Sequence, residues 1–155
     1  MSHIQVKATA IVNATPAQVY AVFADYHRHH PHILPKAYFT ELLVEQGGQG
    51  AGTVFRAKLR VFGQESAYHM VVSEPIPGRT LVETDMDTGL ATSFTALPTA
   101  QPDQTQVEIA TSWTAKPGLA GLLECLMTPP VMRMIYRQEL AQLATYLQQT
   151  RVQAH

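Results

Sequence analysis

Cysteine is almost absent from the chain, Cys125 being the only one. No intrachain disulfide can form and no cysteine-based zinc cluster can assemble, which fits a reducing compartment. An excess of one charge is missing too, because 11 Lys and Arg stand against 12 Asp and Glu, for a formal charge of −1. That balance lacks the basic surplus of an electrostatically driven nucleic-acid binder and the acidity of a disordered, solvating chain. No run approaches the ~18 consecutive apolar residues of a membrane span. The opening residues, Met1 to Lys7, interleave polar side chains where a signal peptide needs an apolar stretch. A Gly-x-Ser-x-Gly elbow, a phosphate-cradling glycine loop and a dinucleotide fingerprint are absent as well. Gly47, Gly48, Gly50 and Gly52 lie between strand signals and serve turn geometry. These absences predict a cytoplasmic protein with no nucleic-acid partner, no membrane span and no cofactor.

What is present is ordinary globular material: 155 residues, 46% hydrophobic and 15% charged, enough for a single domain over 1–155 with a real core. Ile4, Val6, Ala8, Ala10 and Val12 alternate with polar residues, a period of two that predicts a half-buried strand. Thr15, Pro16 and Gln18 then supply an N-cap, a proline at the first helical position and a capping-box partner. The short helix that follows carries Val19, Val22 and Phe23 on one face. Asp25 to Leu34, rich in His and bracketed by Pro31 and Pro35, predicts a second short helix or an irregular turn. Six further strands are read between residues 37 and 115, among them Phe55-Ala57-Leu59-Val61, Tyr68-Met70-Val72 and Val107 to Trp113. They predict one antiparallel meander joined edgewise to the first strand. Finally, Leu119, Leu122, Leu123 and Leu126, then Met132, Ile135, Tyr136, Leu140, Leu143 and Leu147, recur at helical spacing. Thr128-Pro129-Pro130 is expected to kink that helix or divide it. Arg133, Arg137, Glu139 and Gln142 are read as lying off the apolar stripe. A sheet that buries one face needs a cover, and the long helix is the only element large enough to supply it.

This order resembles the SRPBCC or START-like superfamily, over residues 3–148. The resemblance rests on Val12-Asn13-Ala14-Thr15-Pro16-Ala17-Gln18-Val19-Tyr20, on Gly50-Ala51-Gly52-Thr53, and on Glu74-Pro75-Ile76-Pro77-Gly78-Arg79 before Leu81-Val82-Glu83. Thr95-Ala96-Leu97, Thr105-Gln106-Val107 and the Trp113 strand running into Gly118 match as well. Within that superfamily the chain is most similar to the bacterial polyketide cyclase/dehydrase-like group. The resemblance implies an α+β helix-grip fold of the birch-pollen-allergen type: a curved seven-stranded antiparallel sheet around a long C-terminal helix, with two short helices after the first strand. It also implies a cavity between sheet and helix, opening near the short helices.

Strand alternation nominates the lining of that cavity. The ligand-binding candidates are Phe55, Ala57, Leu59, Tyr68, Met70, Phe94, Ile109 and Trp113 from strands, with Leu123, Met127, Met132 and Tyr136 from the helix. His32, beside the entrance, completes the set. An apolar ligand of drug size would need a pocket on the order of 300–1,000 Å³. The tract His27-Arg28-His29-His30-Pro31-His32 holds four imidazoles, yet it lacks metal-ligand spacing and is read as a solvated turn, with no metal site. Cys125, set among leucines, is read as an inert core residue. Arg56, Lys58 and Arg60 are expected on the convex face. Glu83 and Asp85 share one side of a strand with Leu81, so alternation leaves open whether Glu83 looks inward or out, and since strand charges usually coat the solvent face both are read as facing water.

The leading expectation is a binding module for a small apolar or aromatic molecule, lipid- or polyketide-like, working as monomer or homodimer. The alternative is a cyclase or dehydratase using the same cavity, with Tyr68, His69, Glu83 and Tyr136 as the candidates for moving protons. Two or more titratable groups converging inside the cavity would favour the enzyme.

Overall fold

Alternation along Ile4 to Val12 produces β1 (His3–Val12), with Ile4, Val6, Ala8 and Val12 buried. In this computed structural model, which describes residues 3–153, the capping box then starts α1 (Pro16–Ala24). The Gln18 amide N–H donates to Thr15 Oγ1 at 3.2 Å, and the Thr15 N–H donates to Gln18 Oε1 at 2.9 Å. The expected second helix is a single 3₁₀ turn, His30–Ile33, because Pro31 and Pro35 leave too few backbone donors for a longer element.

Six strands follow: β2 (Phe39–Gln46), β3 (Val54–Val61), β4 (Gln64–Ile76), β5 (Thr80–Asp85), β6 (Ala91–Pro98) and β7 (Thr105–Thr114). They pair antiparallel in the order β1-β7-β6-β5-β4-β3-β2, the expected meander closed by β1 against β7. The convex face carries Arg56 on Glu45 at 2.9 Å and Lys58 on Glu41 at 3.6 Å. The concave face buries Phe55, Ala57, Met70, Leu81, Phe94 and Ile109 toward α2 (Gly118–Gln153).

The expected division of α2 does not occur, for Pro129 and Pro130 lie inside one continuous helix. Continuity has a consequence for facing. At 3.6 residues per turn, the nine residues from Leu126 to Ile135 span about two and a half turns, so the two apolar stripes lie on opposite sides of the rod. Ile135, Tyr136, Leu140, Leu143 and Leu147 are buried on the sheet side, while Leu119, Leu122, Leu126 and Met127 are exposed. Only a helix re-phased at the prolines would have turned both stripes inward. Among the described residues no helix is long and apolar enough to cross a membrane.

Candidate functional site

Between the open half of the sheet and α2 lies a chamber whose walls are mostly apolar. Phe55, Ala57 and Leu59 of β3, Tyr68 and Met70 of β4, Phe94 of β6, and Met132, Ile135 and Tyr136 of α2 line it. Phe39, Leu42, Leu59, Leu90 and Met132, each partly exposed, close its outer side. They leave about 70 Å³ of free space. That is room for a few water molecules, well short of the drug-sized pocket expected above. The expectation failed because alternation assigns residues to a face but says nothing of how far their side chains reach across it. A phenyl ring at position 57 exceeds the space, so Ala57→Phe should lower stability by about 1–3 kcal/mol in urea unfolding. Ala57→Val, which adds two carbons, should leave the midpoint nearly unchanged.

Into this apolar space the fold brings three ionisable groups that sequence reasoning did not assemble. Glu83, read as solvent-facing, is buried at 7% exposure, because β5 points Leu81, Glu83 and Asp85 inward together. Its Oε1 accepts a hydrogen bond from the Tyr26 hydroxyl at 2.7 Å. Burial pushes the Glu83 carboxyl up to about 7, and the Tyr26 bond pulls the other way. His30 is fully enclosed, stacked on Tyr26 with ring centroids 4.4 Å apart. Its Nδ1–H donates to the Phe23 carbonyl at 2.9 Å, which leaves Nε2 as an acceptor 3.5 Å from Glu83 Oε1. Burial drives this imidazole down to about 4, with the Phe23 bond opposing, so at neutral pH the contact is between a carboxyl and a neutral ring. Glu139 projects from α2 into the same chamber at 2% exposure, and its Oε1 has no hydrogen-bond partner among the described residues. Burial and the neighbouring charge of Glu83 push Glu139 well above the usual carboxyl range.

Tyr136 closes the chamber with a hydroxyl chain: it bonds Thr111, which pairs with Thr92 Oγ1 at 2.7 Å. Burial raises the Tyr136 phenol, so it stays a neutral donor and acceptor.

Several nominated residues lie elsewhere. His69 faces outward, its Nε2 2.7 Å from Glu45 Oε1, because β4 alternates and Tyr68 and Met70 take the inner side. Trp113 sits at the end of β7 under the start of α2, where its indole N–H donates to Glu124 Oε1 at 2.6 Å, away from the chamber wall. Ile109 is fully buried in the core beside Phe94 and does not reach the free space. Met127 is exposed on the outer stripe, and the side chain of Leu123 lies outside the described residues. His32 stacks on Tyr146 outside the chamber, ring centroids 5.1 Å apart. His27, Arg28 and His32 are exposed as expected of a solvated turn, while His27 and His29 are also engaged by Gly47 O and the Tyr146 hydroxyl. Cys125 is partly exposed beside the core rather than within it. Asp85 is buried like Glu83 but spent on structure. Burial would raise it, yet bonds from Thr88 and the His69 N–H prevail and hold it below the usual carboxylate value.

Glu139 and His30 had signals. Ile135, Tyr136, Glu139, Leu140 and Leu143 fall on one helical arc, with Glu139 in its middle rather than off it. Phe23, Tyr26, His30 and Ile33 repeat at intervals of three and four, which marks His30 as the inward imidazole.

The family described as polyketide cyclase / dehydrase and lipid transport matches residues 3–148. Among solved structures, the chain is similar to the KanY protein determined in solution by NMR. The two are 30% identical, with a TM-score of 0.82 over 96% of this chain and 99% of that one. It is also similar in fold to a START superfamily protein from Mycobacterium smegmatis, at 17% identity and a TM-score of 0.64, over 99% and 100% of the two chains. The Zhui aromatase/cyclase from Streptomyces sp. R1128 shares the fold at 16% identity and a TM-score of 0.66, over 94% and 92%. No curated protein matches the chain.

Proposed function

The chain belongs to the polyketide cyclase / dehydrase and lipid transport family, and on that premise we propose that it binds a small apolar or aromatic molecule in the chamber and moves a proton on it. The observation that carries this reading is Glu83, a carboxyl held near 7 inside an apolar wall, with a neutral imidazole 3.5 Å away. A group poised near the working pH both takes a proton and returns it, which is what ring closure or loss of water next to a carbonyl requires. The Tyr26 hydroxyl fixes the carboxyl's direction, and the apolar walls orient a flat hydrophobic body against it. Phe55, Ala57, Leu59, Tyr68, Met70, Phe94, Met132 and Tyr136 are the contacting residues in this reading. Likeness in fold to an aromatase/cyclase supports it.

The free space of about 70 Å³ is smaller than one aromatic ring, so a substrate of one small ring enters only as Met132 moves, its unbranched thioether repacking to widen the chamber. Proton transfer to carbon is testable without the natural substrate. In D₂O, the protein should exchange the α-protons of small aryl ketones such as acetophenone above the buffer rate, followed by NMR. The rate should rise with pH through an inflection near 7, as Glu83 ionises. Ketones that bind without any catalysed exchange would reduce the function to carriage of the ligand.

A further inference from the structure

The chamber has a surplus of hydrogen-bond acceptors and no permanent cation. Among the described residues its lining contains two carboxyls, Glu83 and Glu139, and no lysine or arginine. Facing the space are the lone pair of His30 Nε2, whose tautomer is set by the Phe23 carbonyl, the oxygens of Glu83, and Oε1 of Glu139. Donors are few: the hydroxyls of Tyr136, Thr111 and Thr92 bond one another, that of Tyr26 is committed to Glu83, that of Tyr68 is engaged by Ser66, and the proton on Glu139 is one that an arriving cation displaces. A buried acceptor without a partner is costly to fold, and Glu139 Oε1 carries that cost on an element where leucine would pack. The remaining walls present aromatic rings from Phe39, Phe55, Tyr68, Phe94 and Tyr136. Carboxylates framed by aromatic faces are the chemistry that receives an ammonium group, which is all donor and no acceptor.

We propose that the ligand of this chamber carries a protonated amine on its small apolar or aromatic body, and that Glu139 is the residue that anchors it. The inference rests on the proposed function, since it names the class of molecule presented to Glu83. It also separates the two carboxyls by role: α2 supplies the counter-charge, and β5 supplies the group that moves a proton. The ionisable groups around Glu139 are Glu83 from β5, Tyr26 and His30 from the segment after α1, Tyr68 from β4 and Tyr136 from its own helix. None of them supplies a positive charge at neutral pH, so an arriving ammonium makes Glu139 give up its proton.

Benzylamine and benzyl alcohol, equal in size and differing in charge, test this by calorimetry in two buffers of unlike ionisation enthalpy at pH 7.5. Benzylamine should bind about tenfold or more tightly than the alcohol and should release protons from the protein. Glu139→Gln, which keeps the shape of a neutral acid, should abolish the proton release and the preference while leaving benzyl alcohol binding within about twofold. Equal binding of the two compounds, or tighter binding of the alcohol, overturns the amine assignment and leaves the chamber as a ligand site. A preference for benzylamine that survives in Glu139→Gln overturns Glu139 as the anchor. Binding of neither compound removes the inference together with the reading of the chamber on which it rests.

Discussion

Glu83→Gln should cut the exchange of ketone α-protons by roughly 10²–10⁴-fold, the usual contribution of a positioned acid–base group. The substitution is chosen to leave the architecture in place. Both neighbours face the Oε1 position, so an amide oxygen placed there keeps accepting from the Tyr26 hydroxyl and stays 3.5 Å from the neutral His30 ring, as in the native carboxyl. What disappears is the ability to hold a proton reversibly near neutral pH. Far-ultraviolet circular dichroism and the thermal midpoint should stay near wild type, while the pH-dependent part of the exchange rate vanishes. Unchanged exchange in this variant would move the chemistry to another group. A weakened Michaelis constant at unchanged turnover would mean that Glu83 binds the ketone and does not take its proton.

How much of this was legible in the sequence depends on which periodicity carried the residue. Strands have a period of two, and two neighbours on the same face suffice to fix a third. Phe55, Ala57, Tyr68, Met70 and Phe94 therefore fall where alternation puts them. The same rule that set Tyr68 inside set His69 outside, so His69 was an avoidable nomination. Glu83 was harder, because alternation ties it to Leu81, which is fully buried, while the habit of charged strand residues ties it to water. The apolar partner won, since Tyr26 and His30 from the segment after α1 arrive to satisfy the carboxyl, and that long-range meeting leaves no local trace. On α2 the difficulty was phase. The Pro129-Pro130 pair suggested a fresh start, which would have let both apolar stripes face the sheet. An unbroken helix instead turns Leu119, Leu122, Leu126 and Met127 to the outside. Free volume was not legible at all, for it depends on the reach of Phe39 and Leu42 from β2 and of Leu90 from the turn between β5 and β6.

Stability should reveal the same site from the opposite direction, because a chamber kept acidic for function is a chamber built against folding. Glu139→Leu replaces an unpartnered buried acid by an apolar side chain on the helical arc of Ile135, Leu140 and Leu143. Removing such an orphan should stabilise by about 1–3 kcal/mol. At this chain length each kcal/mol moves the thermal midpoint by about 2–4 °C, so a rise of several degrees is expected by calorimetry. The gain should depend on pH in a definite sense. Both carboxyls titrate higher in the folded protein than in the unfolded chain, so above the unfolded carboxyl range the native state holds more protons, and wild-type stability falls as pH rises through 7 and beyond. His30 acts oppositely: it is depressed to about 4 in the fold, and its contribution is lost as pH falls below the ordinary imidazole value of 6.5. Above pH 6.5 the carboxyls act without that opposition, so the wild-type midpoint should decline as pH rises through 7. In Glu139→Leu the decline should be shallower, since one of the two raised carboxyls is gone, and its advantage over wild type should be larger at pH 8 than at pH 5. An advantage independent of pH would mean that the Glu139 carboxyl is not raised above its unfolded value, and a loss of stability at every pH would mean that it is satisfied inside the chamber.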